Sequence, residues 1–120
     1  MKIMIVDDST AMRMIVKKTL RQAGFDGHEF TEAEDGVKAL AAIKASKPDL
    51  VLSDWNMPNM TGLQLLEALK AGGQKVTFGF ITTEATPDMR AQALGAGAKF
   101  LVSKPFTPES FKEQLGPHIR

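Results

Sequence analysis

The chain has no cysteine and no tyrosine, one tryptophan and two histidines in 120 residues. Without cysteine there are no disulfides, no thiolate metal sites and no thiol chemistry. His28 and His118 stand far apart, give no transition-metal spacing, and read as surface residues. No apolar run approaches the roughly 20 residues that a membrane-spanning helix requires, so membrane insertion is not expected. Neither sign of charge is in excess: 15 Lys and Arg against 14 Asp and Glu leave +1, and Lys17-Lys18 is the only basic pair. Nucleic-acid binding is therefore not indicated. Repeats, low-complexity tracts and linkers are also missing, which points to one domain over residues 1–120.

What is present is a regular alternation. Lys2 to Val6 is a short run rich in Ile and Val that ends in Asp7-Asp8-Ser9-Thr10, all residue types that cap helix starts. Met12, Ile15, Val16, Thr19, Leu20 and Ala23 follow at helical spacing, with Gly24 placed for a left-handed C-terminal cap. A more polar strand is predicted over His28 to Ala33. After Asp35-Gly36 comes a helix with Val37, Leu40, Ala41 and Ile43 on its inner side, closed before Pro48. Leu50 to Ser53 is apolar until its end, as a strand covered on both faces requires. Leu63, Leu66 and Leu69 mark a third helix, Val76 to Thr82 a fourth strand, and Pro87 the start of a helix capped by Thr86. Lys99 to Ser103 and Pro108 to Leu115 complete five strand-helix pairs, a doubly wound α/β domain with a parallel sheet.

In such a sheet, ligands collect outside the carboxyl ends of the strands. Asp7 and Asp8 end the first strand, Asp54 the third, Thr82-Thr83 the fourth and Ser103-Lys104-Pro105 the fifth. Alone, each is ordinary: Asp7-Asp8 can merely start a helix, Asp54 can be a turn aspartate, Thr82 a strand residue and Lys104 a solvated one. Together they share one edge. Three carboxylates there repel, so that one holds a proton or a cation neutralises them. Oxygen-only ligands favour a hard cation, Mg²⁺ foremost. A carboxylate nucleophile, a metal, the Lys104 ammonium and the Thr82 hydroxyl are the parts that phosphoryl transfer uses, with an aspartyl phosphate as product.

On Asp7-Asp8, Ser53 to Met60, Thr82-Thr83-Glu84-Ala85 and Lys104-Pro105-Phe106, supported by Ala33 to Gly36 and Gly95 to Ala98, the chain resembles the receiver domains of bacterial two-component response regulators, chemotaxis regulators in particular. The resemblance runs the length of the chain. It implies a (βα)5 flavodoxin-like sandwich of strand order 2-1-3-4-5, the order described for chemotaxis receivers themselves. It implies that Asp54 accepts a phosphoryl group from a histidine kinase or a small donor such as acetyl phosphate. Asp8, Asp54 and the Asn56 carbonyl would bind Mg²⁺, with Asp7 acting through water. Thr82 and Lys104 would hold the phosphoryl oxygens, the Lys104-Pro105 bond would be cis, and Asn56 and Glu84 would tune dephosphorylation.

The resemblance further implies a switch that catalyses only its own phosphorylation and dephosphorylation. Its readout face would be the fourth helix, fifth strand and fifth helix, offered to a flagellar motor or a relay protein. A phosphate sink or relay intermediate is the alternative. A cytoplasmic, monomeric, stand-alone protein is expected, since Met1 to Val6 enters a strand directly and the chain ends soon after Pro117. Two departures stand out. Many receivers carry an aromatic switch residue three positions before the lysine, where this chain has Leu101, leaving Thr82 as the switch; strand alternation turns the adjacent Phe100 to the opposite face. Gly79 lies within a buried strand, and Phe100 or another nearby phenylalanine is expected to fill the space above it.

Other functions fit less well. An aspartate-based phosphatase or phosphotransferase needs a second acid two residues after the nucleophile, where Asn56 stands. A cofactor-binding flavodoxin-like domain needs a Gly- or Ser/Thr-rich phosphate cradle after the first strand, and Asp7-Asp8 is not one. Intact Asp8, Asp54, Thr82 and Lys104 argue against a degenerate scaffold. Trp55, next to Asp54, is expected to be a half-buried anchor whose fluorescence reports on the site.

Overall fold

Five apolar segments form parallel strands in the computed structural model, which describes residues 1–119: β1 (Lys2–Val6), β2 (Glu29–Ala33), β3 (Leu50–Ser53), β4 (Thr77–Thr82) and β5 (Phe100–Ser103). Helices α1 (Thr10–Gln22), α2 (Gly36–Ser46), α3 (Gly62–Ala71), α4 (Pro87–Gly95) and α5 (Pro108–Leu115) alternate with them. The sheet order is β2-β1-β3-β4-β5, the doubly wound arrangement expected. Alternation along the strands divides the interior in two. Met4, Val6, Val51, Phe78, Phe80 and Leu101 face the layer that contains Ala39 and Ile43 of α2, Leu65 and Leu69 of α3, and Ala93 of α4. Ile3, Ile5, Leu50, Leu52, Ile81, Phe100 and Val102 face Val16 and Leu20 of α1 and Phe111 and Leu115 of α5.

Every helix begins on a side-chain cap. Ser9, Asp35, Thr61, Thr86 and Thr107 each accept the amide three residues on, from Met12, Lys38, Gln64, Met89 and Ser110. Each such cap stabilises its helix by about 1 kcal/mol, and together they fix where the chain turns above the carboxyl ends of the strands. The opposite edge carries a groove of about 890 Å³ whose lining includes Lys47, Lys70, Lys75 and Lys99. It also includes residues closing α2, α3 and α4, so these lysines stand where helix C-termini carry partial negative charge.

Several elements differ from what the sequence predicts. β2, β4 and β5 begin one residue later than predicted, where strand ends fray. α2 is rotated in part relative to the sequence reading: Val37 and Ala41 are exposed and Ala39 turns inward, while Ile43 is buried and Leu40 half-buried on the inner side, as expected. The Asp35 cap and close packing of Gly36 under Met60 set that rotation. Ile15 likewise lies outside. The histidines are half-buried rather than at the surface: His118 stacks on Phe100 with ring centroids 5.3 Å apart, and the buried Nδ1 of His28 has no hydrogen-bond partner.

Gly79 pairs with Leu52 on one side and Phe100 on the other. A methyl group at Gly79 would overlap three atoms of the Phe100 ring, so the ring occupies the space a side chain would need. Gly79→Ala is expected to lower stability by about 1–3 kcal/mol in urea denaturation, and Gly79→Leu by at least as much; a gain in either would show that the ring does not fill that space.

Candidate functional site

The carboxyl ends of β1, β3, β4 and β5 bring the predicted residues to one place. Oxygens of Asp7, Asp8 and Asp54 lie within 4.8 Å of one another. Lys104 Nζ sits 3.3 Å from Asp7 Oδ2 and 3.7 Å from Asp54 Oδ2. Asp7 and Lys104 are largely buried, Asp54 is 15% exposed at its side chain, and Asp8 faces solvent.

Local structure holds each group. The Asp54 amide continues the β1–β3 ladder by donating to the Val6 carbonyl at 2.8 Å, and the Trp55 amide donates to Asp54 Oδ1 at 2.8 Å. Ser53, fully buried, donates its hydroxyl to the Asp54 carbonyl at 2.8 Å. Gly62 packs so closely beneath that carbonyl that a Cβ there would overlap it, which accounts for glycine at the start of α3. Trp55 is 9% exposed, more buried than expected, with its ring 4.7 Å from Phe80.

Thr82 is fully buried; its hydroxyl oxygen accepts the Glu84 amide at 3.2 Å and its carbonyl accepts the Lys104 amide at 2.8 Å. The Lys104-Pro105 bond is cis. Glu84 and Asn56 are exposed at the rim, and Met57 is buried beside it. Leu101 is 1% exposed within the α2–α4 layer, on the opposite face from Phe100, as strand alternation requires.

Burial pushes the Asp54 carboxyl above its ordinary pKa; Lys104 and the Trp55 amide pull it down, and Asp7 and Asp8 push it further up. One ammonium does not balance three carboxylates. An all-oxygen donor set of this kind, with Asp8 exposed and unpaired among the described residues, fits a hard divalent cation. Two residues at the site were not singled out in the sequence. Ser9 both caps α1 and donates its amide to Asp7 Oδ1 at 2.9 Å, and Arg13 reaches back to the Asp7 carbonyl at 2.5 Å. The cap was legible as a residue type; the arginine contact, made to backbone, left no signal.

A matching family model, the response regulator receiver domain, spans residues 3–116, and the chain belongs to that family. Receiver domains bind Mg²⁺ at an acidic pocket, and this chain brings Asp7, Asp8 and Asp54 together in one cluster. Among curated relatives, the chemotaxis protein CheY-3 of Vibrio cholerae is 42% identical over 117 residues, covering 96% of this chain and 88% of its own length. The chemotaxis protein CheY of Pseudomonas aeruginosa is 41% identical, with 96% and 93% covered. The solved structure of chemotaxis protein CheY4 of Vibrio cholerae superposes with a TM-score of 0.85 at 34% identity, covering 98% of this chain and 97% of that one.

The raised pKa of Asp54 has a stability consequence with a definite sign. A carboxyl that titrates higher in the folded than in the unfolded chain contributes stability that is complete below the unfolded pKa and is lost as pH rises through the folded pKa. Urea denaturation of the metal-free protein is therefore expected to show Asp54→Asn more stable than wild type at neutral pH, the gap closing toward acid. A gap independent of pH would contradict this electrostatic origin.

Proposed function

We propose that residues 1–120 act as one receiver unit, a cytoplasmic signalling switch set by reversible phosphorylation of Asp54. The observation that carries this reading is the convergence of Asp7, Asp8 and Asp54 with Lys104 at one sheet edge. An Asp54 carboxylate oxygen attacks the donor phosphorus, forming a P–O bond as the bond to the leaving group breaks. The donor is a phosphohistidine of a sensor kinase or a small acyl phosphate. The Trp55 amide orients the carboxylate for attack, and Lys104, already close to Asp54 Oδ2, offers its ammonium to a phosphoryl oxygen. Asp8, Asp54 and the Asn56 carbonyl would hold Mg²⁺, with Asp7 through water. When bound, the metal offsets charge on the carboxylates and on the transferring group.

Thr82 lies one strand away with its hydroxyl oxygen engaged by the Glu84 amide. Donating to the new phosphoryl group would turn that hydroxyl and shift a pre-existing equilibrium of the α4–β5–α5 face. Asn56 and Glu84, exposed at the rim, are placed to tune the attack of water that returns Asp54 and releases phosphate. The chain then catalyses only its own phosphorylation and dephosphorylation, as a monomer that meets its kinase and target in turn. The names of the relatives favour chemotaxis, and in that reading the target is a flagellar motor. Leu101, an aliphatic side chain locked in the core, favours a second output: a phosphate sink or relay, which needs no aromatic readout.

With Mg²⁺ already present, adding acetyl phosphate is expected to add one labile phosphoryl group by intact mass and to change Trp55 fluorescence beyond its level with Mg²⁺ alone. Asp54→Asn is expected to show neither. No labile adduct in wild type, or the same adduct in the variant, would overturn the reading.

A further inference from the structure

Asp7 engages its amide, its carbonyl and both carboxylate oxygens. Its amide donates to the Ala33 carbonyl at 3.1 Å, Oδ1 accepts the Ser9 amide at 2.9 Å, Oδ2 faces Lys104 at 3.3 Å, and its carbonyl accepts Arg13 Nη1 at 2.5 Å. Asp8, next in the chain, is exposed and makes no side-chain hydrogen bond or ion pair among the described residues. Its carboxylate stands beside Asp54 because the backbone before and after it is fixed.

Arg13 supplies the far end of that restraint. Its side chain is 12% exposed, and its guanidinium serves three separate pieces of structure: the Asp7 carbonyl, Glu32 Oε1 of β2 at 2.9 Å through Nε, and Thr10 Oγ1 at 3.1 Å through Nη2. Lys17 Nζ holds the other oxygen of Glu32 at 2.8 Å, so the arginine's anchor is itself tethered. The planar fork spreads its donors over Nε, Nη1 and Nη2 and so reaches three acceptors that lie apart, whereas an ammonium's donors all leave one atom on a flexible stem.

We infer that Arg13 is a positioning residue for metal binding, clamping the Asp7 carbonyl between β2 and the first turn of α1 so that Asp8 is presented to the cation beside Asp54. The inference rests on the metal reading proposed above. Outer groups that orient metal ligands typically change affinity 10- to 100-fold when altered.

The test is a Mg²⁺ titration of the full chain followed by Trp55 fluorescence, with hydrogen exchange at the Ser9 amide measured on the metal-free protein. Arg13→Lys is expected to weaken Mg²⁺ at least about tenfold and to speed exchange at Ser9. Glu32→Ala, which frees the guanidinium from β2 but leaves Arg13 in place, should act in the same direction and serves if Arg13→Lys folds poorly. Lys18→Ala, an exposed α1 lysine outside the Arg13–Glu32–Lys17 network, should bind Mg²⁺ within about twofold of wild type. Wild-type affinity in both Arg13→Lys and Glu32→Ala overturns the clamp while leaving the metal reading standing. No Mg²⁺ response in wild type overturns both, whatever the exchange shows.

Discussion

Repulsion among three carboxylates at one edge of a sheet is the constraint on which the rest of this structure depends. Unit charges within 4.8 Å repel by at least roughly 3.5 kcal/mol at an effective dielectric near 20, and among the described residues Lys104 is the one ammonium paired with the cluster. The native fold therefore holds a charge imbalance that the protein does not itself resolve. It is an imbalance that favours a cation beside Asp7, Asp8 and Asp54. Burial of Asp54 sharpens the imbalance by making its ionised carboxylate costlier than the protonated form.

Holding such a cluster requires stiffness from elsewhere. The buried strands β3 and β4, exposed only in part at Thr77, provide it, with Phe78, Phe80 and Trp55 packed edge-on and tilted on one side and Phe100 folded over Gly79 on the other. Above them the loops are fixed by local bonds: the Ser53 hydroxyl and Gly62 around the Asp54 carbonyl, and Ser9 and Arg13 around Asp7. Rigid strands with capped turns locate charges to within a fraction of an ångström in a way that solvated loops do not. The rim residues Asn56 and Glu84 remain exposed, where they meet water or a partner without disturbing the charges beneath.

Much of this was legible in the sequence because the informative residues sit at chain positions that composition marks clearly. Asp7, Asp54, Thr82 and Lys104 each follow an apolar run, so strand ends and site residues were found together, and the Phe100–Gly79 pairing followed from one small residue in a large-residue strand. Rotation of α2 was not legible. With five alanines and glycines among its 11 residues it has no strong apolar stripe, and contact of Gly36 with Met60 decides which side turns inward. His118 was misplaced because its partner, Phe100, lies 18 positions away. Arg13 escaped for a related reason: beyond Thr10, its acceptors are a backbone carbonyl and a glutamate on β2, and neither leaves a mark in linear spacing.

The chemistry at Asp54 is tested most directly by trapping the acyl phosphate. Borohydride reduces an aspartyl phosphate to homoserine, and peptide mapping then reports the residue that carried the phosphoryl group. After brief treatment with a phosphoryl donor and Mg²⁺, homoserine is expected at position 54 and at no other aspartate. Homoserine at Asp7 or Asp8 instead, or none anywhere, would contradict the account.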